Sequence, residues 1–463
     1  DRKLMTTVHA LPDGGYVSFT KGAAEAIVER AVDAMDGAGN RVSLDAAAAE
    51  TLVEAWSEKG LRVLAFGMRR LESLPVGHEI AALESELTVI GYAGLVDPPR
   101  EEAADAVAEC KTAGIIPVMI TGDHPATALA IARRLGIAER KEQMITGAEL
   151  DALTLEDFEG RVEGIRVYAR VAPEQKLKIV QALQDRGEFV AMTGDGVNDA
   201  PALSRADIGV AMGVTGTDVA KEASDMVLLD DNFTSIVGAV REGRHIFDNI
   251  RKFIKYAMAA NSGEIWTILL APLVGLQIPL LPIHILWVNL VTDGLPGLAL
   301  SSEPAEKNIM RRPPRAPNES IFADGLGIHM IWVGLVMGAA TLFTQAVFLD
   351  HGEGHWRTMV FTVLCLSQMG HVLAVRSDRE SFFKQGFKSN LPLTGAVVLT
   401  FLLQLGTIYI PVVNEKCFKT PPLTLEELLV ALAISSVVFW GVELEKLIKR
   451  RIDRKAESAA TAG

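Results

Sequence analysis

Two aspartates four residues apart, Asp195 and Asp199, lie among small residues in the stretch MTGDGVNDAPAL. Carboxylates flanked by glycines can hold a cation, a phosphate group or both, because glycine lets the backbone approach a ligand closely. An Asx-type turn between a strand and a helix is the plainer interpretation of an isolated Gly-Asp-Gly. The choice depends on which other polar residues the surrounding elements bring to the same place.

Short apolar segments alternate with amphipathic segments between residues 88 and 229. The sequence predicts strands at VIGYAGLV, IIPVMI, VYARV, EFVAMTGD and DIGVAMG, and helices that begin at Glu101, Pro125, Glu174 and Val197. This alternation is typical of a doubly wound α/β domain with a parallel sheet. Proteins with that architecture bind ligands at the carboxyl ends of their strands.

Polar residues fall at three of the predicted strand ends. They are Thr121 with Asp123, Lys176, and Asp195 with Asp199. A hydroxyl group and a lysine can hold phosphoryl oxygens, while aspartates fix magnesium to neutralise the charge that develops during phosphoryl transfer. The sequence therefore predicts phosphoryl-transfer chemistry at this edge of the sheet.

The charge of the 463-residue chain is unevenly distributed. Residues 1–240 contain 23 Lys/Arg and 39 Asp/Glu, net −16, whereas residues 241–463 contain 22 and 19, net +3. The acidic first part argues against nucleic acid as a partner. A hydrophobic content of 49% and a mean hydropathy of +0.24 are high for a purely soluble protein. We therefore expect a soluble body followed by a membrane part.

Six apolar stretches follow residue 250, and each is close to the ~20 residues that a helix needs to cross a bilayer. Six in succession favour membrane spans over buried helices of a soluble core. Lys and Arg concentrate before the first stretch and after the second, fourth and sixth, which predicts that the acidic body and the C-terminus are cytoplasmic. The expected location is a multi-pass protein of the plasma membrane. The predicted spans are residues 253–276, 283–300, 326–349, 358–375, 391–412 and 423–443.

Polar side chains lie inside the first two predicted spans. An ionised carboxylate costs several kcal/mol there, so such residues normally face the helix bundle and bind something. Gly294 and Pro296 interrupt the second span, and a broken helix frees carbonyl groups that can line a site. Oxygen ligands suit Ca²⁺, Mn²⁺ or Na⁺, although a hydrogen-bond network that only joins helices is the alternative. The candidate ligands are Asn261, Glu264, Asn289, Thr292 and Asp293.

Nine motifs occur in an order that resembles the P-type ion-motive ATPases. They are DRK, KGA and LRVLAF, then DPPR, TGD, VAPEQK and MTGDGVNDAPAL, and finally NSGE and VNLVTDGLP. The first three resemble the nucleotide-binding domain of these pumps, and the next four resemble their phosphorylation domain. The last two look like the ion-binding helices of the calcium-pump class.

The resemblance implies a fold and an activity. The fold would be a partial α+β nucleotide-binding domain at residues 1–95, an α/β haloacid-dehalogenase-like domain with a Rossmann-like parallel sheet at 96–235, and an all-α region of six membrane helices at 236–455. Residues 456–463 would be a disordered tail. The implied activity is ATP-driven cation transport, with Ca²⁺ export first and Mn²⁺ or Na⁺ transport as the alternative.

The resemblance also implies roles for single residues, with ATP and Mg²⁺ as cofactors. Asp195 would bind Mg²⁺ with help from Asn198 and Asp199, and the five polar residues of the first two spans would bind the transported cation. A lysine or arginine is suited to a triphosphate. The ATP and phosphoryl contacts would come from Lys3, Lys21, Arg62, Thr121, Gly122, Asp123 and Lys176.

The chain departs from the family pattern in two respects. It contains no D-K-T-G run, whose aspartate is the family's nucleophile, and it lacks an actuator domain and four further membrane helices. We expect the missing N-terminal part of the same polypeptide to precede Asp1, and the chain alone to form no aspartyl-phosphate. Gln368 stands where two-calcium pumps place a glutamate, which favours one ion per cycle. His371, three residues later, could face the cation route or simply pack.

Two hypotheses of other classes remain open. A membrane-anchored phosphohydrolase without transport would tolerate neutralisation of Glu264 and Asp293 with no loss of turnover. A non-catalytic cation-binding membrane protein would be stable and complete in this short form. The buried carboxylates count against the first, and the ATP-side motifs count against the second.

Overall fold

The computed structural model describes residues 4–74, 80–95 and 98–460. Lys3, and Asp97 of the DPPR motif, lie outside the described residues. The contacts divide the chain into two compact units. The first unit contains residues 1–238 and 310–317, and the second contains residues 239–309 and 318–463.

A six-stranded mixed sheet opens the first unit, with the strand order β1-β2-β5-β6-β3-β4. Only the β3–β6 pair is parallel. Helices α1 to α3 accompany the sheet, and Ile27, Ala65 and Leu87 form the centre of its core. The strands are β1 (Leu4–Ala10), β2 (Tyr16–Ala23), β3 (Ala31–Met35), β4 (Arg41–Ser43), β5 (Arg62–Leu71) and β6 (Leu87–Leu95), and the helices are α1 (Ala24–Glu29), α2 (Ala46–Glu58) and α3 (Ile80–Leu83).

The segment VIGYAGLV does not belong to the parallel set, so that part of the prediction is wrong. Its residues Val89–Leu95 lie within β6, which pairs antiparallel with the ten-residue strand β5 and, at Val89, parallel with β3, and Val96 lies outside the described residues. An apolar run shows that a strand is buried but not which neighbour it pairs with. Strand β6 pairs with β5 because the ten residues of β5 offer a long edge for backbone hydrogen bonds.

The remaining strands form two three-stranded parallel sheets, ordered β7-β9-β8 and β10-β11-β12. The predicted parallel pairing is therefore confirmed for these strands. Two of them, β8 and β12, are not among the predicted strands. The strands are β7 (Met119–Thr121), β8 (Met144–Thr146), β9 (Val167–Ala169), β10 (Ala191–Gly194), β11 (Ile208–Met212) and β12 (Met226–Leu228).

Helices separate these strands along the chain, as the alternating pattern predicts. Three predicted helix starts are met within one residue, and at the fourth a 3₁₀ turn, Val197–Asp199, leads into the next helix. The helices are α4 (Glu101–Thr112), α5 (Pro125–Arg134), α6 (Gly147–Ala152), α7 (Leu155–Val162), α8 (Pro173–Asp185), α9 (Ala200–Arg205) and α10 (Asp218–Glu222).

The second unit is helical. A π-helical turn at Val288–Thr292 separates two short helices, so the predicted interruption of the second span is confirmed and begins earlier than Gly294. The helices are α11 (Phe233–Leu273), α12 (Pro282–Trp287), α13 (Gly294–Ala299), α14 (Leu326–Phe348), α15 (Glu353–Ala374), α16 (Phe382–Gln385), α17 (Leu391–Tyr409), α18 (Pro411–Val413) and α19 (Leu425–Ala460).

Four helical segments of the described chain are long and apolar enough to cross a membrane: Pro282–Ser302, Leu326–Phe348, Leu391–Tyr409 and Leu425–Lys455. The other two predicted spans fall in α11 and α15, which are helical but less apolar. Helix α15 has buried Thr, Ser, Gln and His side chains, because its neighbours in the bundle cover it. The tail prediction is wrong for residues 456–460, since α19 continues to Ala460.

Candidate functional site

The loop after β7 holds the first predicted group. Thr121 is the last residue of β7, and Pro125 begins α5, where its fixed backbone angle suits the first helical position. The Thr121 hydroxyl donates to Asp123 Oδ2 at 2.9 Å and accepts from the Asp123 backbone N–H at 3.1 Å. Gly122 and Asp123 are exposed. This tight turn keeps a hydroxyl group and a carboxylate together at the strand end.

The loop after β10 is organised by Asp199. Its Oδ1 lies 2.5 Å from Lys176 Nζ of α8, and its Oδ2 accepts the backbone N–H groups of Asp195 and Gly196, each at 3.2 Å. A Cβ atom on Gly194 would lie 2.5 Å from the Asp199 Cβ, so only glycine fits at the end of this strand. The predicted convergence of Lys176 with the two aspartates is thus present.

Asp199 stays ionised in this position. Burial works to raise the pKa of its carboxyl group, but the hydrogen bonds from Lys176 and from the two backbone N–H groups outweigh burial, so the pKa lies below its ordinary value. The result is a charged carboxylate that holds Lys176 at the strand end.

The two aspartates are not equivalent as magnesium ligands. Both Asp199 oxygens already have partners, whereas the Asp195 carboxylate and the Asn198 amide are exposed and make no hydrogen bond to the described residues. Mg²⁺ prefers carboxylates and keeps several waters. The donor set at this loop therefore fits Mg²⁺ through Asp195, while Asp199 shapes the loop.

Strands β7 and β10 are edge strands of their sheets, and both carry site residues at their carboxyl ends. Ile120 of β7 packs against the hydrophobic cluster that contains Met192 of β10. The two edges therefore share a core without sharing backbone hydrogen bonds.

Two of the predicted ATP contacts lie on the six-stranded sheet. Lys21 of β2 is paired with Phe66 of β5, and Arg62 is four residues before Phe66, so the two cations are on the same face of the sheet. The offset corresponds to roughly 13 Å along the strand. Both side chains are exposed and make no ion pair within the described chain.

Glu264 of α11 is a buried carboxylate of the second unit, with 5% of its surface exposed. Asn289 Nδ2 donates to its Oε2 at 3.1 Å, and the amide of Gln368 on α15 faces the same carboxylate. Glu264 Oε1 is buried and makes no hydrogen bond to any described residue. Buried acceptors are normally satisfied, so an unpartnered one marks a place for an ion or water.

Asp293 follows the π-helical turn and has a similar environment. It accepts the Tyr256 hydroxyl at 3.2 Å through Oδ1, while its buried Oδ2 has no partner among the described residues. Tyr256 also donates to the backbone carbonyl of Thr292 at 3.0 Å. We name Glu264, Asn289, Asp293 and Gln368 the cation cluster.

The structure brings the other candidates together only in part. Thr292 is fully buried, and its hydroxyl lies 3.6 Å from Cys365 Sγ. Asn261 donates to the carbonyl of Ala257, one turn back on its own helix, and makes no hydrogen bond to the cation cluster in the described part of the chain. Sequence analysis missed Tyr256, although its position eight residues before Glu264 places both on one helix face.

Two family models match the chain. One, for the cytoplasmic domain N of P-type ATPases, matches residues 1–102, and one for the C-terminus of cation-transporting ATPases matches residues 277–448. The chain belongs to the P-type ATPase family. These two models cover the mixed sheet and most of the membrane helices of this P-type ATPase chain.

Curated relatives agree with this assignment. The chain is 42% identical over 449 residues to a calcium-transporting ATPase of Bacillus subtilis, which covers 94% of the chain and 49% of the relative. It is also 42% identical to calcium-transporting ATPase 1 of Bacillus cereus and 38% identical to an endoplasmic reticulum calcium ATPase of Aspergillus fumigatus, with 97% and 98% of the chain covered. The chain spans about half the length of these relatives.

Proposed function

We propose that this chain provides the ATP-binding, phosphoryl-positioning and cation-binding parts of an ATP-driven pump that exports Ca²⁺. The observation that carries the proposal is that one chain contains both the Lys176–Asp199 pair and two buried carboxylates with unpartnered oxygens. The first set suits phosphoryl transfer, and the second suits a hard cation. The similarity to relatives named as calcium-transporting ATPases supports Ca²⁺ over Mn²⁺ or Na⁺.

At the strand ends, the residues of this chain bind and orient the phosphoryl group. Lys176, held by Asp199, contributes positive charge to the phosphoryl oxygens, and the Thr121 hydroxyl can turn from Asp123 to donate to one of them. Lys21 and Arg62 bind the nucleotide phosphates from the mixed sheet, and Lys3 is assigned the same role by the resemblance alone. Mg²⁺, when bound at Asp195, neutralises negative charge on the phosphates.

The nucleophile is proposed to come from an upstream part of the same polypeptide, since D-K-T-G is absent from the chain. A parallel strand inserted between β7 and β10 would pair with both free edges and join the two small sheets into one. Its last residue would emerge between Thr121 and Asp195. The joined sheet would be the haloacid-dehalogenase-like fold expected from the motifs.

In the second unit, the proposed transported ion binds at the cation cluster. The unpartnered oxygens of Glu264 and Asp293 provide charge, and Asn289 and Gln368 provide neutral oxygens when their amides turn towards the ion. Because Gln368 is neutral, we propose one Ca²⁺ per cycle. We further propose a location in the plasma membrane with both ends in the cytoplasm, from the distribution of Lys and Arg.

Phosphoenzyme formation from radiolabelled ATP tests the proposal, with the complete polypeptide compared with this chain alone. We expect Ca²⁺ to stimulate an acid-stable, hydroxylamine-sensitive phosphoenzyme in the complete protein, and the chain alone to form none. Stimulation by Mn²⁺ or Na⁺ but not by Ca²⁺ would identify that ion, instead of Ca²⁺, as the transported cation. Full turnover after neutralisation of Glu264 and Asp293 would favour a phosphohydrolase without transport. Measuring bound Ca²⁺ per phosphoenzyme tests the stoichiometry.

A further inference from the structure

Two buried histidines face each other inside the second unit. His329 of α14 and His371 of α15 are 1% and 0% exposed, and their Nε2 atoms are 3.1 Å apart. His329 Nδ1 lies 2.6 Å from Glu445 Oε2 of α19, and the other Glu445 oxygen lies 2.7 Å from Lys449 Nζ. His371 Nδ1 is buried without a hydrogen-bond partner in the described part of the chain.

These contacts determine where the hydrogen atoms are. A carboxylate only accepts hydrogen bonds, so Nδ1 of His329 carries a hydrogen and donates it to Glu445. The Nε2 of a neutral His329 is then an acceptor, and it accepts the Nε2–H of His371. This arrangement leaves Nδ1 of His371 as a bare acceptor. The neutral pair therefore has one unfilled place for a proton, at its innermost nitrogen.

We propose that His329 and His371 form a binding site for a single proton, with Glu445 as the counter-charge. The proton adds to Nδ1 of His371, the hydrogen on Nε2 of His371 passes to Nε2 of His329, and no other bond changes. His329 becomes an imidazolium that donates to Glu445 and to His371. The chain gains one proton, and its charge is compensated by a carboxylate at hydrogen-bond distance.

The charged groups around the pair come from three elements. Helix α11 contributes Lys255, which pairs with Asp378 of the segment after α15 at 2.6 Å. Helix α19 contributes Lys446, which pairs with Glu443 at 2.7 Å, in addition to Glu445 and Lys449. The rings of Tyr256 and Trp332 also pack against the pair, with centroids 5.7 Å from His371 and 5.6 Å from His329.

Lys255 and Lys446 are therefore each balanced by their own carboxylate. The charge and hydrogen bond of Lys255 hold the pKa of Asp378 well below its usual range. Only Glu445 is shared between a lysine and the histidines. The proton affinity of the pair is accordingly set by Glu445, and Lys449 opposes it.

Proton binding changes the hydrogen-bonding character of His371 inside the helix bundle. Its Nδ1 changes from an acceptor to a donor, one helical turn after Gln368 of the cation cluster. A donor at this position, together with the positive charge on the neighbouring His329, disfavours a nearby cation. Cation affinity should therefore fall as the pair is protonated, a consequence that rests on the proposed function, whereas the proton site itself does not.

Nitrogen-15 NMR of histidine-labelled complete protein, without added Ca²⁺ and from about pH 5 to about pH 9, tests the proton site. His329→Gln and His371→Gln identify the two sets of ring signals. We expect the two rings to take up one proton in a single coupled step. Rings that remain neutral to about pH 5, or that each gain a proton independently, would overturn the proposal.

Two further variants keep both rings in place, so they test the site even where a histidine variant fails to fold. Glu445→Gln should lower the titration midpoint by about one pH unit, a tenfold loss of proton affinity, and Lys449→Met should raise it. His284→Gln is the matched control: His284 is also fully buried, but its Nε2 lies 2.8 Å from the Phe418 carbonyl, so the coupled step should persist. An unchanged midpoint in Glu445→Gln would contradict the role of Glu445.

Equilibrium binding of Ca²⁺ to the same variants tests the consequence separately. Acidification should weaken Ca²⁺ binding more in the parent protein than in His371→Gln. If Ca²⁺ affinity depends on pH in the same way in both proteins, proton binding is not coupled to cation binding. The proposed proton site would be unaffected by that result. Failure of Ca²⁺ to bind at any pH would instead contradict the proposed function, while the NMR titration would stand.

Discussion

Asp199 in the first unit and Glu264 in the second are each 5% exposed, yet their oxygen atoms have different surroundings. Asp199 accepts hydrogen bonds from a lysine and from two backbone N–H groups, so each of its oxygens has a partner. We call such a carboxylate filled. Glu264 accepts one amide and keeps its other oxygen without a partner in the described residues. Burial alone therefore does not distinguish a structural carboxylate from a ligand-binding one.

The second unit also contains a filled carboxylate, so the difference is not simply one between the two units. Glu303 is 3% exposed and receives two bonds from Arg376, both at 2.9 Å, and one from Asn390 at 2.7 Å. This carboxylate joins the segment after α13 to the segment before α17. Carboxylates with both oxygens partnered thus occur in both units, and the unpartnered oxygen of Glu264 supports the cation site proposed above.

The largest expected effect comes from removing Arg376, the charged partner of the Glu303 carboxylate. Arg376→Met leaves a buried carboxylate without its ion partner, which should cost about 3–5 kcal/mol of unfolding free energy. Thermal unfolding of the complete protein in detergent measures the loss. Arg379→Met removes an exposed ion pair with Asp453 and should change stability by less than about 1 kcal/mol. Equal effects of the two substitutions would mean that burial of the pair is unimportant.

Lys176→Met tests whether the filled carboxylate of the first unit holds a catalytic group. Loss of one charged donor to the phosphoryl group should slow phosphoenzyme formation about 10²–10³-fold. Lys178→Met is the matched control on the same helix, since Lys178 donates to the Leu150 carbonyl and lies over the Phe158 ring, away from the strand-end loops. Rapid-quench measurements with ATP compare the rates. A similar loss in the control would assign Lys176 to folding of α8.

Glu264→Gln should separate binding from stability. Removing the charge should weaken Ca²⁺ binding at least about tenfold, whereas stability without Ca²⁺ should be unchanged or increased, because an unpartnered buried charge is removed. Glu443→Gln is the control: Glu443 is filled by Ser381, Lys446 and a backbone N–H, so its neutralisation should lower stability and leave Ca²⁺ affinity intact. The reverse pattern would contradict the comparison.

The smallest expected effect concerns a half-buried carboxylate whose oxygens both accept hydrogen bonds. Asp231 accepts the backbone N–H groups of Val214, Thr215 and Gly213, and these bonds lower its pKa to about 2 from an ordinary value of 3.8. Its stabilisation is complete above pH 3.8 and is lost as the pH falls towards 2. The melting-temperature difference between the parent protein and Asp231→Asn should therefore shrink on acidification. A difference independent of pH would show that the charge of Asp231 contributes nothing.

The strand-end site follows closely from the sequence. Strands and helices alternate at the predicted positions, and in parallel sheets this alternation forces residues after the strands to one edge. The structure joins Lys176 to Asp199 and has Thr121 and Asp195 at the carboxyl ends of β7 and β10, which belong to two different sheets. The sequence did not separate the roles of Asp195 and Asp199, because which oxygens are filled depends on the conformation of the loop after β10.

The sequence by itself determined the local elements, the apolar stretches and the residue types capable of phosphoryl and cation chemistry, because these depend on periodicity and on side-chain chemistry along the chain. Only the tertiary structure decided the pairing of β6 with β5, the contact of Tyr256 with Asp293, and the meeting of His329, His371 and Glu445 from three helices. Such contacts join residues far apart in the chain. Their partners are set by the packing of whole elements, which no local pattern records.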